Sequence, residues 1–274
     1  MGDFLGMFFN PEYIFRVLPD LILVGLVNTL ILAFAATVIA LVIGILIAMA
    51  LLSRHRWLRY PAQVYVDLLR GLPTILTIFL IGQGLPYAGI TFLGTSAYPY
   101  GMLSLGLIAS AYAAEIFRSG IQSIHHGQLE AARALGMPYR TAMALIVVPQ
   151  GIRNVLPALT NQFISIVKDT SLVYVLGLAV GERELYRIGQ DMSQRVGNLS
   201  PLVAAGIIYL LITVPLTHFV NWLDRRLRTG KVPVAVEGPD EPGAPGTPLE
   251  PIAGANPAPA VETPASHDPQ RSNA

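Results

Sequence analysis

Long uncharged runs broken by short polar ones dominate this sequence and predict a bundle of membrane-crossing helices. Residues 21–52 carry no charged side chain, a run longer than the ~20 residues that span a bilayer core. A first span, tilted or projecting, is expected there. Residues 65–70 form an amphipathic lead-in to a second span with its apolar body over 73–85, and Gly71 and Pro73 should bend it. Third, fourth and fifth spans are expected over about 100–124, 152–178 and 200–222. Before the fourth, residues 139–148 form a short apolar piece that Pro149, Gln150 and Gly151 should break, and Pro157 is placed to kink the span itself.

Small residues mark the first span at four-residue spacing. Gly25, Thr29, Ala33 and Thr37 form one stripe, and Ala36, Ala40, Gly44 and Ala48 a second. In lipid, close backbone approach drives helix association, so both read as packing faces. Residues 1–19 hold Phe4, Leu5, Phe8, Phe9, Tyr13, Ile14, Phe15 and Leu18 around Asn10 and Pro11. That suits an N-terminal segment lying in the membrane interface, the alternative being a frayed end. Asp3 precedes the first basic residue, Arg16, an arrangement unlike a cleavable signal peptide.

Charged and polar residues inside the spans are the next signal, because each must find a partner, water or protein there. Glu115 and Arg118 stand at i,i+3 and can pair on one helix face. They either face the bundle interior or snorkel at a cytoplasmic end. Asn161, Gln162, Lys168, Asp169 and Thr170 load the fourth span with polarity. They suit either a transport pathway or a lock between helices or subunits.

Composition agrees with a membrane protein: 53% hydrophobic and 13% charged residues, with a mean hydropathy of +0.55. A net charge of +1 gives no basis for nucleic-acid binding, and the absence of cysteine excludes disulfides and thiolate chemistry. Basic residues cluster at 54–59, around Arg133 and Arg140, and at 225–231, whereas the 86–99 loop has no Lys or Arg. The positive-inside rule then sets the N-terminus outside and the C-terminus in the cytoplasm of the plasma membrane. The 181–198 loop mixes Glu182, Glu184 and Asp191 with Arg183, Arg187 and Arg195, suiting either a docking surface for a soluble binding protein or a solvated face. Beyond Gly230 the sequence turns to Pro, Ala, Gly, Glu and Ser, so 230–274 is expected to be a disordered cytoplasmic tail.

One polar stretch, 128–149 (QLEAARALGMPYRTAMALIVVP), is helix-prone yet lies between apolar spans. Glu130 to Leu135 are nearly all good helix formers, and Gly136, Met137 and Pro138 supply a stop. A short surface helix over about 126–136 is expected, with Glu130 in its first turn and Arg133 in pairing reach. Glu130-Ala131-Ala132, then Gly136, Ile146, Val148 and Pro149 at their present spacing, resemble the coupling-loop signature of the membrane subunits of ATP-binding cassette importers. Val148 stands where that family usually has leucine. The stretches LRGLP (69–73), AEIFRSGI (114–121) and NQFISIVKDTSL (161–172) are similar to its polar-amino-acid branch, and the likeness covers most of 25–227.

The resemblance implies an all-α membrane protein with the five-transmembrane-helix type I importer permease fold over 20–229. It implies a second permease subunit, identical or paralogous, two ATP-binding cassette subunits and an extracytoplasmic amino-acid-binding protein. Coupling to the ATPase would fall to Glu130, Ala131, Ala132 and Gly136. Glu115, Arg118, Asn161, Gln162, Lys168 and Asp169 are the candidate pathway or gating residues. Glutamate, aspartate or glutamine is the preferred cargo. No cofactor or metal is expected.

Two other classes compete with that expectation. A non-transporting membrane scaffold would use the Glu130 helix only to recruit a cytoplasmic partner. An intramembrane enzyme lacks its motifs: no phosphate-binding Gly-x-x-x-x-Gly-Lys-Ser/Thr loop, no His-Glu-x-x-His and no Gly-x-Ser-x-Gly occurs. His125 and His126 are adjacent, about 100° apart on a helix, a poor geometry for one metal ion.

Overall fold

The computed structural model describes residues 2–124 and 126–228, and every regular element among them is helical. The expected tail at 230–274 and His125 lie outside the described residues. Two helices, α1 (Gly2–Phe8) and α2 (Pro11–Asp20), precede a wider π-helical turn, Leu21–Leu26, that runs on into α3 (Val27–Leu51). Asn10 caps α2, its side chain accepting from the Glu12 amide at 3.0 Å. Val17, inside α2, is 2% exposed against Leu21, Leu185 and Ala204. This N-terminal segment is therefore seated on the helical body.

Helix α4 (Arg56–Gly71) and helix α5 (Thr74–Gly82), extended by α6 (Gly84–Tyr87), meet at a 110° bend. Leu72 is extended and Pro73 cannot donate a backbone hydrogen bond, so the helix stops where the sequence placed the bend. Helix α7 (Ala97–Gln122) follows, then the short α8 (His126–Ala134) and α9 (Tyr139–Ala142). A second π turn, Met143–Val147, joins α9 to α10 (Val148–Asp169), which a 3-10 segment, Thr170–Leu176, continues. Helix α11 (Leu185–Val196) lies before the final α12 (Ser200–Arg228).

Among the described residues, four helical stretches are long and apolar enough to cross a membrane: Phe4–Leu51, Ala97–Gln122, Tyr139–Leu176 and Ser200–Trp222. The bent pair α4–α5/α6 makes a fifth if it counts as one broken span. The expected break at Pro149 does not occur. Pro149 directly follows the π turn, whose wider register takes up the backbone bond that the proline cannot make, so the helix runs on from α9 into α10. Both small-residue stripes of α3 are turned inward: Thr29, Ala33, Ala36 and Ala48 are fully buried and Ala40 nearly so. Helices α3 and α7 share the largest interface in the bundle. A methyl group on Gly44 would lie 2.8 Å from the Ala113 Cβ, so this seam closes only around glycine.

Candidate functional site

Helix α8, between α7 and α9, exposes Glu130, Ala131 and Arg133, whereas Ala132 is 3% exposed and turns back into the chain. The two alanines of the coupling signature thus have different surroundings. Glu130 lies in the second turn, because the helix already begins at His126, and among the described residues no ion pair joins it to Arg133. A first-turn carboxylate paired with Arg133 is therefore not what forms. The C-terminal end follows the sequence expectation. The Gly136 amide donates to the Arg133 carbonyl at 3.0 Å and the Met137 amide to the Ala132 carbonyl at 3.1 Å, closing a Schellman turn. Gly136 has φ +84°, a left-handed conformation that side chains strain. Beside the helix lies an open cavity of about 790 Å³ with Arg54, His55, Glu130, Arg133, Tyr139 and Arg140 in its lining. The Arg54 guanidinium stands 5.4 Å over the Tyr139 ring, joining the first basic flank to this region.

The polar residues of the fourth span divide. Gln162, Lys168 and Asp169 line a cavity of about 290 Å³ together with Thr74, Tyr112 and Ser165, with Leu105, Ile108, Ala109 and Ile166 as its apolar wall. Asn161 is exposed and lies outside that lining. The cavity sits at the break between α4 and α5: Thr74 is the first residue of α5, so the positive end of that half-helix is at the wall. Arg70, the last basic residue of α4, is 5.3 Å over the Tyr112 ring and backs the same wall. Thr74, Tyr112 and Ser165 were not singled out from sequence. Ser165 lies one turn before Lys168 on α10, whereas Thr74 comes to it through the bend and Tyr112 through the packing of α7, which nothing local in the sequence marks.

Glu115 and Arg118 behave differently. The Arg118 Nη2 is 2.6 Å from Glu115 Oε2, and Arg118 Nη1 donates to Gln122 Oε1 at 3.1 Å. Each charge is satisfied along one face of α7, outside the lining of the Lys168 cavity. The stretch 181–198 is mainly helix rather than loop. Its charges are turned on one another, with Arg183 Nη1 2.9 Å and Arg187 Nε 3.2 Å from Asp191. These are charge contacts rather than aligned hydrogen bonds, as Arg187 Nε and Asp191 Oδ2 complete none. Glu184 caps α11 and is fully buried, a role that no N-cap signature in the sequence marks, since glutamate is not among the usual N-cap residues.

Residues 40–229 match the family described as binding-protein-dependent transport system inner membrane component. A probable amino-acid ABC transporter permease protein of Sinorhizobium fredii is 35% identical over 227 residues, 82% of this chain and 95% of the relative. A probable glutamine ABC transporter permease protein, GlnM of Bacillus subtilis, is 34% identical over 74% of this chain and 91% of its own. The arginine transport system permease protein ArtQ of the same organism is 33% identical over 76% and 93%. Among solved structures, an amino acid ABC transporter crystallised with histidines superposes with a TM-score of 0.66 at 34% identity, covering 74% of this chain and 92% of that one. The inward-facing MetNI methionine transporter, 17% identical with a TM-score of 0.62, shares the fold. With its broken second span, its helix between α7 and α10 and these relatives, the chain belongs to the binding-protein-dependent inner-membrane transport family, among the permease subunits of polar-amino-acid ABC importers whose ATP hydrolysis resides in a separate subunit.

Proposed function

We propose that this chain forms the pathway for a polar amino acid, with glutamate, aspartate or glutamine as the preferred cargo. The observation that carries the reading is the cavity where Lys168 and Asp169 stand side by side at the broken helix. Lys168 and the start of α5 offer positive charge to a carboxylate, and Asp169 offers negative charge to an ammonium group, so one zwitterion meets both. At about 290 Å³ it lies at the lower edge of ordinary small-molecule sites, ~300–1,000 Å³, which suits a free amino acid. Relatives named for glutamine and for arginine transport support the class of cargo.

In this reading two permease subunits, identical or paralogous, enclose the path, with the N-terminus outside and α8 in the cytoplasm. Glu130 and Ala131 meet the ATPase, Ala132 seats the helix on its own bundle, and Gly136 sets the turn that aims it. ATP-driven closure of the ATPase pair then tilts α8, and the bundle alternates between inward-open and outward-open. The test is ATP hydrolysis by the reconstituted complex with its binding protein, amino acid by amino acid. Stimulation by glutamate, aspartate or glutamine is expected. Hydrolysis that no amino acid raises would overturn the reading.

A further inference from the structure

Glu184 is the one fully buried charged side chain among the described residues, and the translocation scheme leaves it unused. Both of its oxygens are engaged. Oε2 accepts from the Tyr186 amide at 2.6 Å and from the Tyr209 hydroxyl at 3.2 Å, and Oε1 accepts from the Arg187 amide at 2.8 Å. Tyr209 belongs to α12, and its hydroxyl lies 3.5 Å from Thr170 Oγ1, one residue beyond Asp169. The Leu185 amide donates to Thr29 Oγ1 on α3 at 3.2 Å, and the Tyr186 ring meets Tyr174 edge-on at 5.2 Å. Helix α12 thus reaches the carboxyl itself through Tyr209, while α3 and the end of α10 join it at one remove, through the Leu185 amide, the Tyr209 hydroxyl and the Tyr186 ring. A cap alone has no need of this, since exposed Ser or Asp caps a helix as well.

We propose that Glu184 is a positioning residue for translocation: a protonation-switched latch that holds α11 against the bundle and, through Tyr209 and Thr170, sets the end of α10 that carries Lys168 and Asp169. This rests on the transporter reading above. The groups facing the carboxyl are few. Arg187 on its own helix acts on it as a nearby positive charge while also lying 3.2 Å from Asp191, Arg183 just before it pairs with Asp191, α12 presents Tyr209, and behind these the hydroxyls of Thr29 and Thr170 meet the Leu185 amide and the Tyr209 hydroxyl. Glu182 is held away by Ser96, whose hydroxyl donates to it at 2.8 Å.

Burial outweighs the donors and pushes the Glu184 carboxyl from 4.5 up to about 7. The seated latch therefore holds its proton more tightly than a hydrated one, and seating takes up a proton between those two values. Raising the pH through that window favours release of α11, about tenfold per unit and roughly three-hundredfold over the whole window. Below 4.5 and above 7 the balance is flat.

Hydrogen exchange in residues 185–196, measured on the whole complex in nanodiscs from pH 5 to 8 and corrected for intrinsic exchange, reads this directly. Wild type is expected to lose protection as pH rises and to level off near 7. Glu184→Gln, neutral at every pH, should stay protected with no slope, and Glu184→Asp should restore a slope. Tyr209→Phe should keep the slope at 185–196 but uncouple the matching change at 165–172. A Glu184→Gln slope equal to wild type, or a flat wild type, overturns the latch. Amino-acid uptake measured alongside separates the two claims: an importing complex with flat exchange loses only the latch, whereas one that imports no amino acid loses the transporter reading and the latch with it.

Discussion

Helices α8 and α11 each bridge two spans, with α10 between them, so they emerge on opposite faces of the bundle. Helix α11 is built into the body: Glu184 and Leu185 are fully buried, Gly189 approaches the Pro201 carbonyl, and Asp191 gathers two arginines. In α8 the described side chains leave only Ala132 buried, while Glu130, Ala131, Arg133 and the following Leu135 face outward, Leu135 with 85% of its surface free. A short helix is thus part of the structure at one end and a presented element at the other. A short helix has too little length to be stable alone, so its burial shows what it serves. What α11 gets from its own chain, α8 would get, in the proposed coupling role, from the ATPase.

The strongest way to break that contrast is at the turn after α8. Gly136→Val forces a β-branched side chain into a left-handed backbone at +84° and should redirect α8, abolishing uptake with membrane levels unchanged. Uptake assays paired with membrane immunoblots would read both. Next, Lys168→Ala should raise the KM for uptake about tenfold, the loss of ~1.4 kcal/mol, with cargo affinity of the binding protein unaltered. A direct sharpening comes from two carboxylates. Glu184→Ala leaves two helix amides and a tyrosine hydroxyl without an acceptor and should lower stability by ~1–3 kcal/mol in thermal unfolding. Glu130→Ala, on the exposed face, should change stability by less than ~0.5 kcal/mol while lowering amino-acid-stimulated ATP hydrolysis. The smallest effect belongs to Arg118→Ala, whose partly exposed pair within one helix turn should be worth under ~1 kcal/mol.

Most of the bundle could be read from the sequence, for reasons tied to particular residues. An uncharged run such as 21–52 has only one stable state in lipid, and the inward stripes of Ala36, Ala40 and Ala48 are visible because helical period and small size coincide. The bend at Gly71–Pro73 was legible through backbone chemistry alone. The site was legible only in part. Lys168 and Asp169 announce themselves by their cost inside an apolar helix, but Thr74 and Tyr112 join them only where α5 and α7 meet α10 in the fold. Residues 181–198 read as loop because their charges suggested solvent, when a buried cap and internal ion pairs hold them as helix. Pro149 misled in the other direction: a proline breaks a regular helix interior, but a π turn immediately before it accommodates it.

The natural sequence has no cysteine, so single cysteines report cleanly. Cysteines at Ala131 on α8 and at Gln194 on α11, both exposed, put the central claim to the most direct test. The Ala131 position should crosslink to the ATP-hydrolysing subunit and resist a membrane-impermeant thiol reagent added outside, while the Gln194 position should react with that reagent and never reach the ATPase. Labelling of Ala131→Cys from outside, or capture of the ATPase by Gln194→Cys, would contradict the account.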